Sequence, residues 1–110
     1  MSRFGIIWCG LAMAGLATVA VAEDEKQRET CAKTSEIVSV AVSKRVAGVD
    51  VDATKDSLME GDGAVAEKYQ LTVGPLVDWV FGLEPDVIGK KNAASSIAAT
   101  YQESCLGYKP

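Results

Sequence analysis

The sequence of 110 residues contains no histidine. Without an imidazole there is no Cys-His nucleophile, no zinc site of the Cys/His type and no ordinary proton switch between pH 6 and 7. The chain also lacks C-x-x-C, G-x-S-x-G, S-x-x-K and a Gly-rich phosphate loop. We therefore expect a protein that is not an enzyme and holds no cofactor or metal. The alternative is a hydrolase built on carboxylate pairs such as Glu60 and Glu67.

Basic residues are also scarce. The chain has 11 lysines and arginines against 15 aspartates and glutamates, a net charge of −4. Phosphate backbones are bound by concentrated cations, whereas Lys44-Arg45 and Lys90-Lys91 are isolated pairs. We therefore expect no nucleic-acid partner.

One long apolar segment opens the chain. Residues 1–22, MSRFGIIWCGLAMAGLATVAVA, carry an early cation at Arg3, then an apolar run and Ala20-Val21-Ala22. This layout is typical of a secretory signal peptide cleaved after Ala22, although an uncleaved membrane anchor has a similar length. We expect an exported chain without stable membrane insertion after cleavage, in which residues 23–28 form a solvated, charged lead-in.

Cleavage removes Cys9 and leaves two cysteines, Cys31 and Cys105. An even pair in a short exported chain indicates a disulfide, because that compartment is oxidising and a small core needs reinforcement. A free functional thiol or a metal ligand is the less favoured interpretation. The sequence therefore predicts a Cys31–Cys105 disulfide.

Apolar residues recur at helical spacing through residues 29–107. The first predicted helix runs from Glu29 to Ala47 and ends at Gly48. Asp50 or Asp52 is expected to cap a second helix that stops at Gly61. The face of the first helix is expected to comprise Cys31, Thr34, Val38, Ala41, Val42 and Val46.

A third segment is expected to begin at Asp62 and to kink or restart at Pro75. The last helix is expected to begin near Asn92 and to close at Gly107, with one face comprising Ala94, Ile97, Ala98, Tyr101 and Cys105. No sustained alternating pattern predicts a strand. We therefore expect an all-α single domain: a small bundle of four to five helices, closed by a disulfide between its first and last helices.

Alternating oxygen-bearing residues from Asp50 to Asp56, in DVDATKD, suggest a calcium loop. An EF-hand requires Gly at its sixth position and Glu at its twelfth, and Lys55 and Gly61 stand there. A capped helix start is therefore the preferred interpretation, and no metal site is expected.

The segment LVDWVFGL, residues 76–83, is the most apolar part of the chain after the first 22 residues. Such a helix is usually buried, but a small domain has few neighbours to cover it. We expect Trp79, on the side of Leu76, Val80 and Leu83, to face the core. Phe81 and Val77 are then expected to form a partner-binding surface. The alternative is that the whole segment belongs to the core.

Several scattered residues resemble those of small exported helical proteins of Gram-negative bacteria that carry one long-range disulfide. They are Cys31, Arg45-x-x-Gly48, Tyr69, Leu76-Val77-x-x-Val80-Phe81 and Ala98-x-x-Tyr101-x-x-x-Cys105. The resemblance implies a helical fold and a periplasmic location, and it supplies no active site. In general layout the chain is also similar to periplasmic acid-stress chaperones and to helical immunity proteins.

The resulting functional expectation is a non-catalytic periplasmic protein that acts by binding another envelope protein, of the inhibitor, immunity or adaptor type. The alternative is an acid-stress chaperone, because the acidic excess would lose its charge as the pH falls.

Export predicts a processed N-terminus. If residues 1–22 are a signal peptide, intact-mass measurement of the exported protein will give a chain that begins at Glu23. Retention of residues 1–22 would contradict the prediction and favour the membrane-anchored form.

Overall fold

The computed structural model describes the backbone of residues 2–108 and the side chains of residues 24–108. The predicted signal peptide and its cleavage site at Ala22 lie outside the residues whose side chains are described. The chain divides into two units, residues 1–30 and Cys31–Pro110, and the packing below belongs to the second.

The protein is all-α, and the described residues contain no strand. The helices are α1 (Ser2–Val46), α2 (Val51–Met59), α3 (Gln70–Phe81), α4 (Pro85–Ile88) and α5 (Ala93–Gly107), with a 3₁₀ turn at Glu67–Tyr69. The prediction of an all-α bundle is confirmed. α1 begins well before Glu29, so the charged stretch 23–28 is helical, since Glu, Lys, Gln and Arg favour helix.

The core of the second unit is rich in valine. Its buried residues come from α1, α2, α3, α4, α5 and the 3₁₀ turn: Ile37, Val38, Ala41, Val42, Leu58, Tyr69, Val73, Val77, Val80, Ile88, Ala93 and Ile97. The predicted α1 face is correct from Cys31 to Val42. The inclusion of Val46 in this face is wrong, because Val46 is the last residue of α1 and its side chain is 62% exposed.

Two predicted helix boundaries are confirmed in atomic detail. At the end of α1, Gly48 takes a φ of +85°, its N–H donates to the Arg45 carbonyl, and the Val49 N–H donates to the Lys44 carbonyl. This pair of bonds is a Schellman motif. At the start of α2, the Asp50 carboxylate accepts the Ala53 N–H at 2.7 Å. Asp50 is therefore the N-cap.

The start of α3 differs from the prediction. Asp62 is not an N-cap, because the chain continues irregularly to the 3₁₀ turn and α3 begins at Gln70. Within the described residues, the buried Tyr69 hydroxyl before α3 has no hydrogen-bond partner.

Pro75 lies inside α3 and does not restart it. Pro75 cannot donate to the Leu71 carbonyl, and Leu71 lies on the solvent side, with 92% of its surface exposed.

A disulfide joins α1 to α5. Cys31 and Cys105 are bonded, with their Cα atoms 5.7 Å apart and 74 positions separating them in the chain. Cys31 is fully buried, whereas Cys105 is half-buried. The predicted connection between the first and last helices is confirmed.

Arg45, at the end of α1, holds the end of α3. Its Nη1 atom donates hydrogen bonds of 2.7 Å to the carbonyls of Val80 and Leu83. The last carbonyls of a helix have no partner within the helix, and a cation there also interacts favourably with the helix dipole. One guanidinium therefore binds the Val80 carbonyl in the last turn of α3 and the Leu83 carbonyl just after it, and it connects segments far apart in sequence.

The disulfide should account for much of the stability. Closing a loop of 74 positions restricts the unfolded chain by about 4 kcal/mol in the entropy model. We expect the double variant Cys31→Ala/Cys105→Ala to lose about this free energy of unfolding in a urea titration. Thiol titration of the native exported protein should find no free thiol. Two reactive thiols would contradict the disulfide.

Arg45→Met keeps most of the aliphatic stem but removes both donors. Hydrogen bonds from charged groups contribute about 1.5–3 kcal/mol, so we expect urea unfolding to show a loss in this range. The matched control is Lys44→Met, which removes the same charge from a neighbouring half-buried residue and should change stability by less than about 0.5 kcal/mol. Equal losses in the two variants would show that charge alone, and not the link to α3, matters.

Candidate functional site

The structure reverses the predicted orientation of the aromatic pair on α3. Trp79 is 43% exposed, Val77 is fully buried and Phe81 is half-buried against the core. The expectation that Trp79 faces the core and that Phe81 is the more exposed residue is wrong. Val77 is covered by the fold and presents no surface to a partner.

The geometry of the helix explains this reversal. The buried stripe of α3 is Val73, Val77 and Val80, whereas the expected core-facing side was that of Leu76, Val80 and Leu83. At about 100° per residue, Phe81 lies about 70° from the centre of the observed stripe and Trp79 about 130° from it. A rotation of the core-facing stripe therefore brings Trp79 to the surface.

Trp79 borders a cleft of about 290 Å³, which we call the Trp79 cleft. Its lining comes from the end of α3, the α3–α4 turn, α4, the α4–α5 connection and one face of α5. The lining residues are Trp79, Leu83, Val87, Lys90, Lys91, Ala93, Ser96, Ile97 and Thr100. All of these residues belong to the second unit. The lining combines apolar side chains with two cations and two hydroxyls.

The α5 side of the cleft is a single helical face. Ala93, Ser96, Ile97 and Thr100 follow one another at three- and four-residue steps, which places them on one side of a helix. Ala93 and Ile97 are buried, whereas Ser96 and Thr100 are exposed. The cleft therefore has an apolar floor and a hydroxyl-bearing wall.

The indole of Trp79 packs against a second aromatic ring. Its centroid lies 6.1 Å from that of Tyr101 on α5, with the ring planes inclined at 47°. Tilted aromatic pairs at this separation attract one another. Tyr101 therefore restricts the rotation of Trp79 while much of the indole stays exposed.

The rim of the cleft is cationic. Lys90 and Lys91 are exposed, and neither takes part in a described ion pair, in contrast to Lys33 with Glu36 and Lys55 with Asp78. No lining residue carries a carboxylate. The N-terminus of α5 begins at Ala93, which also lines the cleft, so the helix dipole adds positive potential there.

Asn92 shapes the turn that carries the two lysines. It has a φ of +61° and directly precedes α5, and its side chain makes no capping hydrogen bond. Asparagine tolerates this left-handed conformation better than most residues. The predicted start of the last helix near Asn92 is confirmed, since α5 begins at Ala93.

The possible metal and carboxylate sites gain no support. Among the described residues no group of three or more potential ligands is close enough to hold a metal ion, and Lys55 pairs with Asp78 at 2.8 Å. Glu60 and Glu67 are both exposed. Within residues 24–108, whose side chains are described, no helical segment has the length and apolarity needed to cross a bilayer.

No protein family, curated protein or solved structure matches this chain. The cleft must therefore be interpreted from its own residues.

Sequence reasoning identified the apolar segment that carries Trp79, but it missed the rest of the cleft. The face of Ala93, Ser96, Ile97 and Thr100 was detectable from its helical spacing. The pair Lys90-Lys91 is too small for a nucleic-acid site, but two cations are enough to make the rim of a small cleft positive.

Proposed function

We propose that this protein is a non-catalytic binding protein and that the Trp79 cleft receives an apolar side chain of a partner protein. The observation that carries the proposal is the exposure of Trp79 beside an apolar floor. A half-exposed tryptophan in a concave site is the type of residue that dominates binding energy at protein interfaces.

The dimensions of the cleft favour a protein partner over an enclosed small molecule. Small-molecule sites commonly measure about 300–1,000 Å³ and surround most of the ligand. The Trp79 cleft, at about 290 Å³, has a volume at the lower end of this range. Most of its lining residues, including Trp79, Lys90 and Thr100, are exposed, so the cleft is open to solvent and does not enclose a ligand. It accommodates one anchoring side chain whose backbone stays outside.

The chemistry of the lining favours binding over catalysis. Nucleophilic catalysis by a serine needs a base within hydrogen-bond reach. The described contacts include no hydrogen bond between Ser96 and either rim lysine, while Thr100 donates its hydroxyl to the Ser96 carbonyl at 3.0 Å. These groups suit hydrogen bonding and charge pairing with a ligand.

We place this activity in the periplasm. The apolar segment with Ala20-Val21-Ala22 supports export, and the Cys31–Cys105 disulfide supports an oxidising compartment. The partner is then another envelope protein, as in an inhibitor, an immunity protein or an adaptor.

Thr100→Glu tests the function without touching the core. Thr100 is exposed, so a carboxylate there should leave the fold intact while obstructing the cleft. We expect affinity capture from periplasmic extract to recover a stoichiometric partner with the wild type and to lose it with this variant. Circular dichroism and urea unfolding will verify that the variant is folded.

Trp79→Ala provides a second variant, with Leu71→Ala as its matched control. Removing the anchor should weaken binding by about 2 kcal/mol or more. Leu71 lies on the same helix, is 92% exposed and does not line the cleft, so its removal should leave binding unchanged. Equal capture by wild type, Thr100→Glu and folded Trp79→Ala would overturn the proposed function.

A further inference from the structure

The charge of the cleft rim is opposite to that of the chain. The chain has an acidic excess and a net charge of −4, yet the charged residues that line the Trp79 cleft are Lys90 and Lys91. Within the described residues neither ammonium group has an ion-pair partner. This local reversal of charge indicates the chemistry of the ligand.

We propose that the Trp79 cleft recognises an acidic segment of the partner protein. An apolar side chain of the segment rests on Trp79 and Ile97, and neighbouring carboxylates pair with Lys90 and Lys91. This inference rests on the proposed function and adds the chemical class of the ligand.

The arrangement of the lining suits an extended segment. Successive side chains of an extended chain point to opposite faces, so an anchor and the residue two positions away project to the same side. The apolar anchor can contact the floor of the cleft while the acidic side chain two positions away contacts the lysines at the rim. The Ser96 hydroxyl makes no hydrogen bond with another described residue and remains available to the backbone of the segment.

The charge distribution favours an acidic protein segment over an anionic lipid surface. A membrane would face many groups at once, and the acidic excess of the chain would oppose its approach. A narrow segment meets only the rim. Two adjacent lysines are therefore better suited to bind a narrow peptide segment than a broad membrane surface.

Fluorescence polarisation with labelled peptides tests the inference on the exported protein. The probe is Glu-Asp-Leu-Phe-Asp-Glu. A neutral control, Gln-Asn-Leu-Phe-Asn-Gln, keeps the anchor, and Glu-Asp-Ala-Ala-Asp-Glu keeps the charge. We expect the acidic anchored peptide to bind more tightly than either control, and its advantage over the neutral peptide to disappear at about 1 M salt, where the Debye length is about 3 Å.

The variant Lys90→Gln/Lys91→Gln should weaken binding of the acidic peptide about 3- to 10-fold and leave the neutral peptide unaffected, as expected for two exposed charge pairs. The matched control is Lys26→Gln/Lys33→Gln. It changes the net charge equally at exposed positions outside the cleft, so binding of both peptides should stay at the wild-type level.

Three results would overturn the inference. Equal affinity for the acidic and neutral peptides would remove the role of charge and leave the proposed function standing. Failure of all three peptides to bind at millimolar concentration would reject the acidic segment, while capture of a partner would still decide the proposed function separately. Binding to anionic vesicles through the same lysines, without preference among the peptides, would assign the rim to a lipid surface.

Discussion

The position of the cleft depends on one guanidinium group. Arg45 donates from Nη1 to the carbonyls of Val80 and Leu83, and these carbonyls flank the turn in which α3 ends. Leu83 lines the Trp79 cleft, and Val80 follows Trp79 directly. Without these bonds the last turn of α3 would be held mainly by apolar packing such as that of Val80 and would fray more readily, as helix ends do. Arg45 of α1 therefore helps to hold in place the side of the cleft that carries Trp79.

The opposite side of the cleft is attached to the same helix by different chemistry. Cys31 of α1 is bonded to Cys105 of α5, and α5 carries Ser96, Ile97 and Thr100. Cys31 and Arg45 are about 21 Å apart along α1, at about 1.5 Å per residue. One helix thus holds both walls, α5 through a covalent bond and α3 through charged hydrogen bonds. A small domain with a valine-rich core gains from such links, because small cores contribute little stability.

The elements that could be predicted from the sequence are those governed by local rules. Gly48 ends α1 because glycine accepts a positive φ, and Asp50 caps α2 because a short carboxylate reaches the Ala53 N–H. The disulfide followed from the number of cysteines and the inferred compartment. Each prediction needed only a few neighbouring residues or a general property of the chain.

The failed predictions required tertiary information. Asp62 has the chemistry of an N-cap, but α3 begins later, after the 3₁₀ turn. In LVDWVFGL nearly every position is apolar, so periodicity could not define which side faces the core. Packing selected Val73, Val77 and Val80, and that choice exposed Trp79. The candidate site was missed for the same reason, since its residues come from five consecutive segments that only the fold brings together.

The contrast between the acidic chain and its cationic rim has a consequence for binding. At physiological salt the Debye length is about 8 Å, so an approaching ligand responds mainly to the charges nearest to it. The acidic excess of the chain would repel the proposed acidic segment, whereas Lys90 and Lys91 would attract it at the rim, where they have no carboxylate partner among the described residues. The repulsion disfavours other orientations, and the attraction aligns the segment with the cleft. Selectivity of this kind comes as much from the unfavourable encounters as from the favourable contact.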